Sequence, residues 1–343
     1  EQKPWDAMPA STVVWRADGS GTPTDHRAPA MTVEVLALAG GVGGAKLALG
    51  FARILPPDKL AIVVNTGDDE SFYGLHVSPD LDTVMYTLAG LANPDTGWGL
   101  VGDTFNALDM LGRYGVDTWF SLGDRDLATH IHRTHLLQQG ATLSEVTTEL
   151  CSPLGVDHCV APMSDQPVRT FLTTPSGELA MQDYFVRQRC EPRVTGVKYE
   201  GSESATPSPV LSSAMQEAKL LVLCPSNPYL SVGPILSIPG VREGLESFAG
   251  LRIAVSPIVG GSALRGPAAK MMGELGDDVS CAAVARQYKG ITDAFLIDHQ
   301  DSHMASDIEE MGINAVTADI IMETEADKVA LAERIMGLAA NMS

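Results

Sequence analysis

Apolar residues along this chain gather in short runs, and the stretches between the runs carry a helical period. Val33 to Leu38 and Leu60 to Val64 are two such runs, separated by a glycine-rich stretch and by Ala45 to Ile54, whose spacing is helix-like. Runs of this length suit strands covered on both faces of a parallel sheet. Leu220 to Cys224, Arg252 to Ser256 and Ala294 to Ile297 repeat the pattern, each followed by turn residues and a helix-like stretch. The recurring strand, loop, helix unit predicts an α/β fold with a doubly wound, mostly parallel Rossmann-like sheet.

One interval departs from that rhythm. Between Cys159 and Val197 the pairs Phe171-Leu172 and Tyr184-Phe185 flank the turn residues Ser176-Gly177, which predicts a hairpin inserted into the α/β body. The expected organisation is a 31–158 N-terminal part with the phosphate and metal site, a 159–210 inserted hairpin or lid subdomain, and a 211–343 C-terminal part. Residues 1–30 are polar, rich in Pro, Thr, Ser and Asp, and without period. They are expected to form a disordered extension.

Composition narrows the classes. At 343 residues and 45% hydrophobic content the chain can bury a large core without staples. Its 43 acidic against 23 basic residues, a formal charge of −20, oppose nucleic acid and anionic membrane. No stretch approaches the roughly 20 apolar residues of a membrane span. The five cysteines are scattered, odd in number and free of any C-x-x-C pair, which argues against a disulfide framework or zinc ribbon and favours a cytoplasmic setting.

The chemistry concentrates at strand ends. Gly40-Gly41-Val42-Gly43-Gly44-Ala45-Lys46 lies between the first strand and the first helix, where glycines admit a phosphate and a helix start supplies N–H groups and positive dipole. It matches neither the dinucleotide fingerprint, which needs glycine where Lys46 stands, nor the P-loop. Lys46 is either a phosphate partner or a solvated first-turn lysine. Asn65-Thr66-Gly67-Asp68-Asp69 follows the second strand, and Ser78-Pro79-Asp80-Leu81-Asp82-Thr83 precedes a helix-like run to Leu91. Carboxylates crowding a phosphate call for a bridging hard cation such as magnesium. Of Asp80 and Asp82, one is expected to cap the helix and the other to face the ligand, with Asp82 the inward one.

Leu122-Gly123-Asp124-Arg125-Asp126 opens a further helix-like segment with His130, His132 and His135. Asp124 suits an N-cap, and Arg125 suits a phosphate or a neighbouring carboxylate. The histidines lack the third ligand and open position of a zinc site. Pro225-Ser226-Asn227-Pro228 and Ser256-Pro257-Ile258, with Gly260-Gly261 and then Arg265 and Lys270 behind, bring donors to the same sheet edge.

Taken in order, the glycine stretch, Asn-Thr-Gly-Asp-Asp, Ser-Pro-Asp-Leu-Asp-Thr, Leu-Gly-Asp-Arg-Asp-Leu-Ala-Thr-His, Pro-Ser-Asn-Pro and Ser-Pro-Ile resemble the 2-phospho-L-lactate and phosphoenolpyruvate transferases of coenzyme F-420 biosynthesis, from about Val33 to Glu323. The resemblance implies transfer of phospholactate or phosphoenolpyruvate from a guanosine-diphospho donor to the deazaflavin Fo (7,8-didemethyl-8-hydroxy-5-deazariboflavin), releasing GMP. It implies magnesium on Asp68 and Asp82, which are then the candidate catalytic residues. It puts the deazaflavin near Asp80, Asp82, Thr83, Leu122, Gly123 and Asp124. The guanosine diphosphate falls along Gly41, Val42, Gly43, Gly44, Ser226 and Asn227, with Lys46 nearby. Tyr73, Trp98 and Trp119 are candidates to stack on the deazaflavin or to pack in the core. The family also implies a homodimer. Two alternatives use the same glycine stretch: a nucleotide-sugar-binding regulatory protein, and a nicotinamide-dependent oxidoreductase that Lys46 disfavours.

Overall fold

A computed structural model describes residues 33–342. The expected 1–30 extension lies outside the described residues. The central sheet has seven parallel strands: β1 (Val35–Ala39), β2 (Leu60–Val64), β3 (Cys159–Pro162), β4 (Leu220–Leu223), β5 (Leu251–Val255), β6 (Ala294–Ile297) and β7 (Asn314–Thr317). Their order is β7-β6-β5-β4-β1-β2-β3. Every residue of β1, β2, β4 and β6 is buried, which is why these segments read as unbroken apolar runs.

The chain winds from β1 outward to β3, then returns to the other side of β1 to build β4 through β7. The direction reverses between β1 and β4, and ligands of doubly wound folds bind at that crevice. Helix α1 (Gly41–Ile54) follows β1 directly and packs on α2 (Pro79–Leu88) and on the C-terminal helix Glu325–Met342. A Cβ on Gly50 would collide with the Lys328 carbonyl, so glycine there sets how closely the two helices approach. Helices α3 (Asn106–Arg113), α4 (Asp124–Gln138) and α5 (Leu143–Cys151) complete the segment before β3.

The interval after β3 carries an antiparallel sheet in which Arg169–Thr174 pairs with both Gly177–Ala180 and Gly196–Glu200. It shares a small core of Leu172, Tyr184, Val194, Leu230 and Met271. Two details differ from expectation. Cys159–Pro162, assigned to the insertion, pairs parallel with Ala61–Val64 and is the edge strand of the main sheet. Its terminal Pro162 is tolerable there because an edge strand leaves one row of backbone groups unpaired. Tyr184-Phe185 lies in a helical turn, Asp183–Arg187, rather than in a strand. All five cysteines are unpaired, and among the described residues no helix is long and apolar enough to cross a membrane.

Candidate active site

The glycine stretch is the first turn of α1 rather than a loop before it, with Gly40 as N-cap and Gly41 at φ +60°. The segment after β4 packs directly on it. Ser226 Oγ accepts from the Gly40 N–H at 3.2 Å and donates to the Gly40 carbonyl at 2.9 Å. A Cβ on Gly43 would overlap the Pro225 carbonyl, and one on Gly44 would stand 2.9 Å from Ser226 Oγ. The glycines are thus required first by the two segments meeting at the switch point. Asn227 Oδ1 accepts from the backbone of Tyr229 and Leu230 at 2.9 and 3.1 Å. Its amide oxygen therefore caps the turn that follows, and Gly41, Val42 and Gly43 are only partly buried. Lys46 points away from the glycines: Nζ donates to the Met322 carbonyl at 2.5 Å.

Asp68 and Asp80 come together beside this turn, both buried. Asn65, the last residue before the Asp68 turn, holds them: Nδ2 reaches Asp80 Oδ2 at 2.9 Å and Asp68 Oδ1 at 3.4 Å, and Oδ1 accepts from the Gly67 N–H at 2.8 Å. Burial, with the neighbouring Asp80 and Asp69 carboxylates adding, pushes the Asp68 carboxyl well above its ordinary value. Burial also raises Asp80 to about 6, against hydrogen bonds from Asn65 and the Gly41 N–H. Asp69, raised chiefly by burial, bonds through Oδ2 to His76 at 3.0 Å and Ser78 at 2.8 Å. The inserted sheet closes on this segment: Thr170 N–H donates to the Gly67 carbonyl at 2.6 Å and Gln182 Nε2 to the Asp68 carbonyl at 3.3 Å.

Asp82 takes a different place from the one expected. Two positions beyond Asp80 on α2, it is gripped through both oxygens by Arg133 of α4, with Arg133 Nη1 at 3.0 Å from Oδ2 and Nη2 bonded to Oδ1. Arg133 is the largest fully buried side chain among the described residues. Burial would lower its pKa, but Asp82 outweighs burial and raises it. His130 stands between Asp82 at 3.7 Å and Asp126 at 3.3 Å, and Tyr86 OH donates to Asp126 at 2.7 Å. Of the two aspartates, Asp80 meets the glycine turn and Asp82 is closed in a buried ion-pair network. Neither caps α2, whose N-cap is Ser78.

Asp124 is likewise committed. It accepts from Thr104 Oγ1 at 2.5 Å and from the N–H groups of Asn106 and Ala107 at 3.1 and 2.8 Å, so it caps α3 rather than its own helix. These bonds, Thr104 first, hold its carboxyl far below the usual range. Asp103 returns the favour, accepting from the Arg125 and Asp126 N–H groups at 2.9 and 3.0 Å. Gly123 has no room for a Cβ because Asp103 fills that space. Leu122 packs with Phe72 and Val77 beside Trp119 and Phe120. Tyr73 bonds to the Phe120 carbonyl, whereas Trp98 stands about half exposed at 49%. Thr83 is buried just past the first turn of α2.

Arg133, Asp103, Thr170 and Gln182 were not singled out in the sequence, and Asn65 was named only as part of its motif, without a role. The spacing Asp126, His130, Arg133 marks one face of a helix and was the available sign of a polar buried face. Nothing in sequence marks Thr170 or Gln182. Among the described residues no cluster of three or more His, Cys, Asp or Glu side chains is arranged for a metal. A magnesium ion that completes its shell with phosphate oxygens and water needs only one or two carboxylates.

The chain is similar to known proteins in sequence and in fold. The family model described as 2-phospho-L-lactate transferase CofD matches residues 35–336. The 2-phospho-L-lactate transferase of Methanosarcina mazei is 37% identical over 302 residues, 88% of this chain and 99% of that protein. The phosphoenolpyruvate transferase of Streptomyces griseus is 38% identical over 313 residues, covering 90% and 98%. A crystal structure of a UPF0052 family member from Bacillus halodurans superposes with a TM-score of 0.59 at 13% identity, over 89% of this chain and 98% of that one, which shows the shared fold.

Proposed function

The chain belongs to the 2-phospho-L-lactate transferase CofD family and is a transferase; we propose that it moves a phospholactate or phosphoenolpyruvate group from a guanosine-diphospho donor to the deazaflavin Fo, releasing GMP, in coenzyme F-420 biosynthesis. The observation that carries this reading is the buried Asp68 and Asp80 pair, set beside the helix-start glycines at the switch point and given only neutral donors. Such a pair is an unfavourable arrangement that a divalent cation and a phosphate would relieve.

The donor's diphosphate lies along Gly41 to Gly44, where N–H groups and the α1 dipole favour anions. The deazaflavin sits toward Thr83 and the Leu122-Gly123 turn, with its ribityl chain reaching the aspartates. The acceptor's hydroxyl oxygen bonds to the outer phosphorus, the bond from that phosphorus to the bridging oxygen breaks, and the electron pair leaves on GMP. The hydroxyl proton passes to the aspartate cluster and on to solvent. Asp68 and Asp80 are the residues that would hold magnesium, in place of the expected Asp68 and Asp82, because both Asp82 oxygens face Arg133. The ion would supply charge neutralisation between donor oxygens and carboxylates. The test is incubation with Fo, magnesium and each guanosine-diphospho donor, following GMP release and product mass; no turnover with any of them sinks the proposal.

A further inference from the structure

After β5 the chain forms a short hairpin, Ile258–Val259 against Ser262–Ala263, over Gly260 and Gly261 at φ +57° and +71°. It then carries Arg265 to the Thr96-Gly97 turn. Arg265 Nη1 makes a 3.4 Å bond to the Thr96 carbonyl. A methyl group placed on Gly97 would strike that same nitrogen and stand 3.1 Å from Val42 Cγ2, so the guanidinium lies beside the glycine turn. Lys46 is its electrostatic neighbour: burial lowers the Lys46 pKa most, and Arg265 is the next cause.

Neither cation forms an ion pair with a carboxylate among the described residues. This is in a chain whose acidic residues outnumber its basic ones 43 to 23. Surplus carboxylate is plentiful, yet this exposed guanidinium is held by one long bond to a carbonyl and faces another positive charge. A guanidinium beside a phosphate-sized turn and unpaired with any carboxylate favours an anion there, whereas Lys46 is turned to Met322 with the Glu323 and Asp327 carboxylates acting on it. The planar fork of arginine matches phosphate oxygens two at a time, which the Lys46 ammonium, already turned to Met322, does not.

We propose that Arg265 clamps the donor's diphosphate, an inference that rests on the transferase reading above. Its guanidinium bonds to a non-bridging oxygen of the outer phosphate and to the bridging oxygen. When the outer phosphorus takes the acceptor oxygen and releases the bridging one, the electron pair left on GMP develops against Arg265. The acceptor proton goes to the aspartate cluster as before. A clamp of this kind acts on the second phosphate and on the leaving charge, so it is worth more to a diphosphate than to a monophosphate.

Calorimetric titration of wild type, Arg265→Ala and Arg265→Lys with GDP and with GMP, alongside kcat and KM for the donor, tests this. Arg265→Ala is expected to weaken GDP by about tenfold or more, to weaken GMP much less, and to lower kcat by about tenfold or more, with Arg265→Lys recovering part of the GDP affinity. Arg265 is exposed, and thermal melting should match wild type. Unchanged GDP binding and kcat in Arg265→Ala overturns the clamp while leaving the transferase standing. Equal losses for GDP and GMP also overturn it, because the side chain then only props the Thr96 loop. A wild-type protein that binds neither nucleotide overturns the transferase reading itself.

Discussion

Asp80 and Asp82 stand two residues apart in the first turn of one helix, and the difference between their surroundings separates the working wall of this protein from its scaffold. Asp80, with Asp68, is buried against an amide and a backbone N–H, donors that satisfy hydrogen bonds without cancelling charge. Asp82 is buried against a full guanidinium, with His130, Asp126 and Tyr86 behind. The same side chain at the same depth is thus left in want of a cation on one side of α2 and supplied with one on the other. A carboxylate whose partner is neutral is a place for a ligand; one whose partner is charged is part of the fold.

The strongest way to break this comparison is to remove the internal cation. Arg133→Met should cost about 3 to 5 kcal/mol of stability in urea unfolding, because Asp82 is left buried and uncompensated. A loss under about 1 kcal/mol would mean that water already compensates Asp82.

On the working side the effects should run opposite. Asp68→Asn and Asp80→Asn should each cut turnover by at least about tenfold, about 1.4 kcal/mol of transition-state stabilisation. Both should melt no lower than wild type in magnesium-free buffer, since each removes an uncompensated buried charge. Full activity in both variants would take the pair out of the site.

Titration should sharpen the contrast. Asp80 in the folded protein is raised to about 6 from 3.8, and Asp68 is raised as well. Between those values the folded state binds more protons than the unfolded one. Magnesium-free stability should therefore fall as pH rises from about 4 through 6. Chemical unfolding across that range would show the fall, and saturating magnesium should flatten it. A pH-independent wild type would contradict the burial of these carboxylates. The smallest effect belongs to the periphery: Asp103→Ala should cost about 1 kcal/mol by loss of a helix cap, read by the same unfolding experiment.

How far the sequence discloses these two regions follows from the range of the interactions. Buried strands such as Leu60–Val64 announce themselves because both faces are covered. The edge strands β3 and β7 do not: Cys159–Pro162 ends in proline, and Asn314–Thr317 has one buried residue in four. Residues two apart on a helix point to different sides, so a split between Asp80 and Asp82 was readable. Which of them met the ligand was not, because the answer lies with Arg133, 51 positions away. Ser226, chosen as a ligand donor, shows the same limit: its hydroxyl spans 186 positions to pin Gly40.

The exchanged aspartates Asp103 and Asp124 carry one more consequence. The start of α3 is completed by Asp124, the first residue of α4, and the start of α4 by Asp103, from the segment leading into α3. Neither helix can fray at that end without loosening its neighbour, so the two should open as one cooperative unit. Amide hydrogens near Asn106 and near Asp126 should therefore exchange with a common protection factor, and an occupant resting on the Leu122-Gly123 turn should slow both sets together, including amides it never touches.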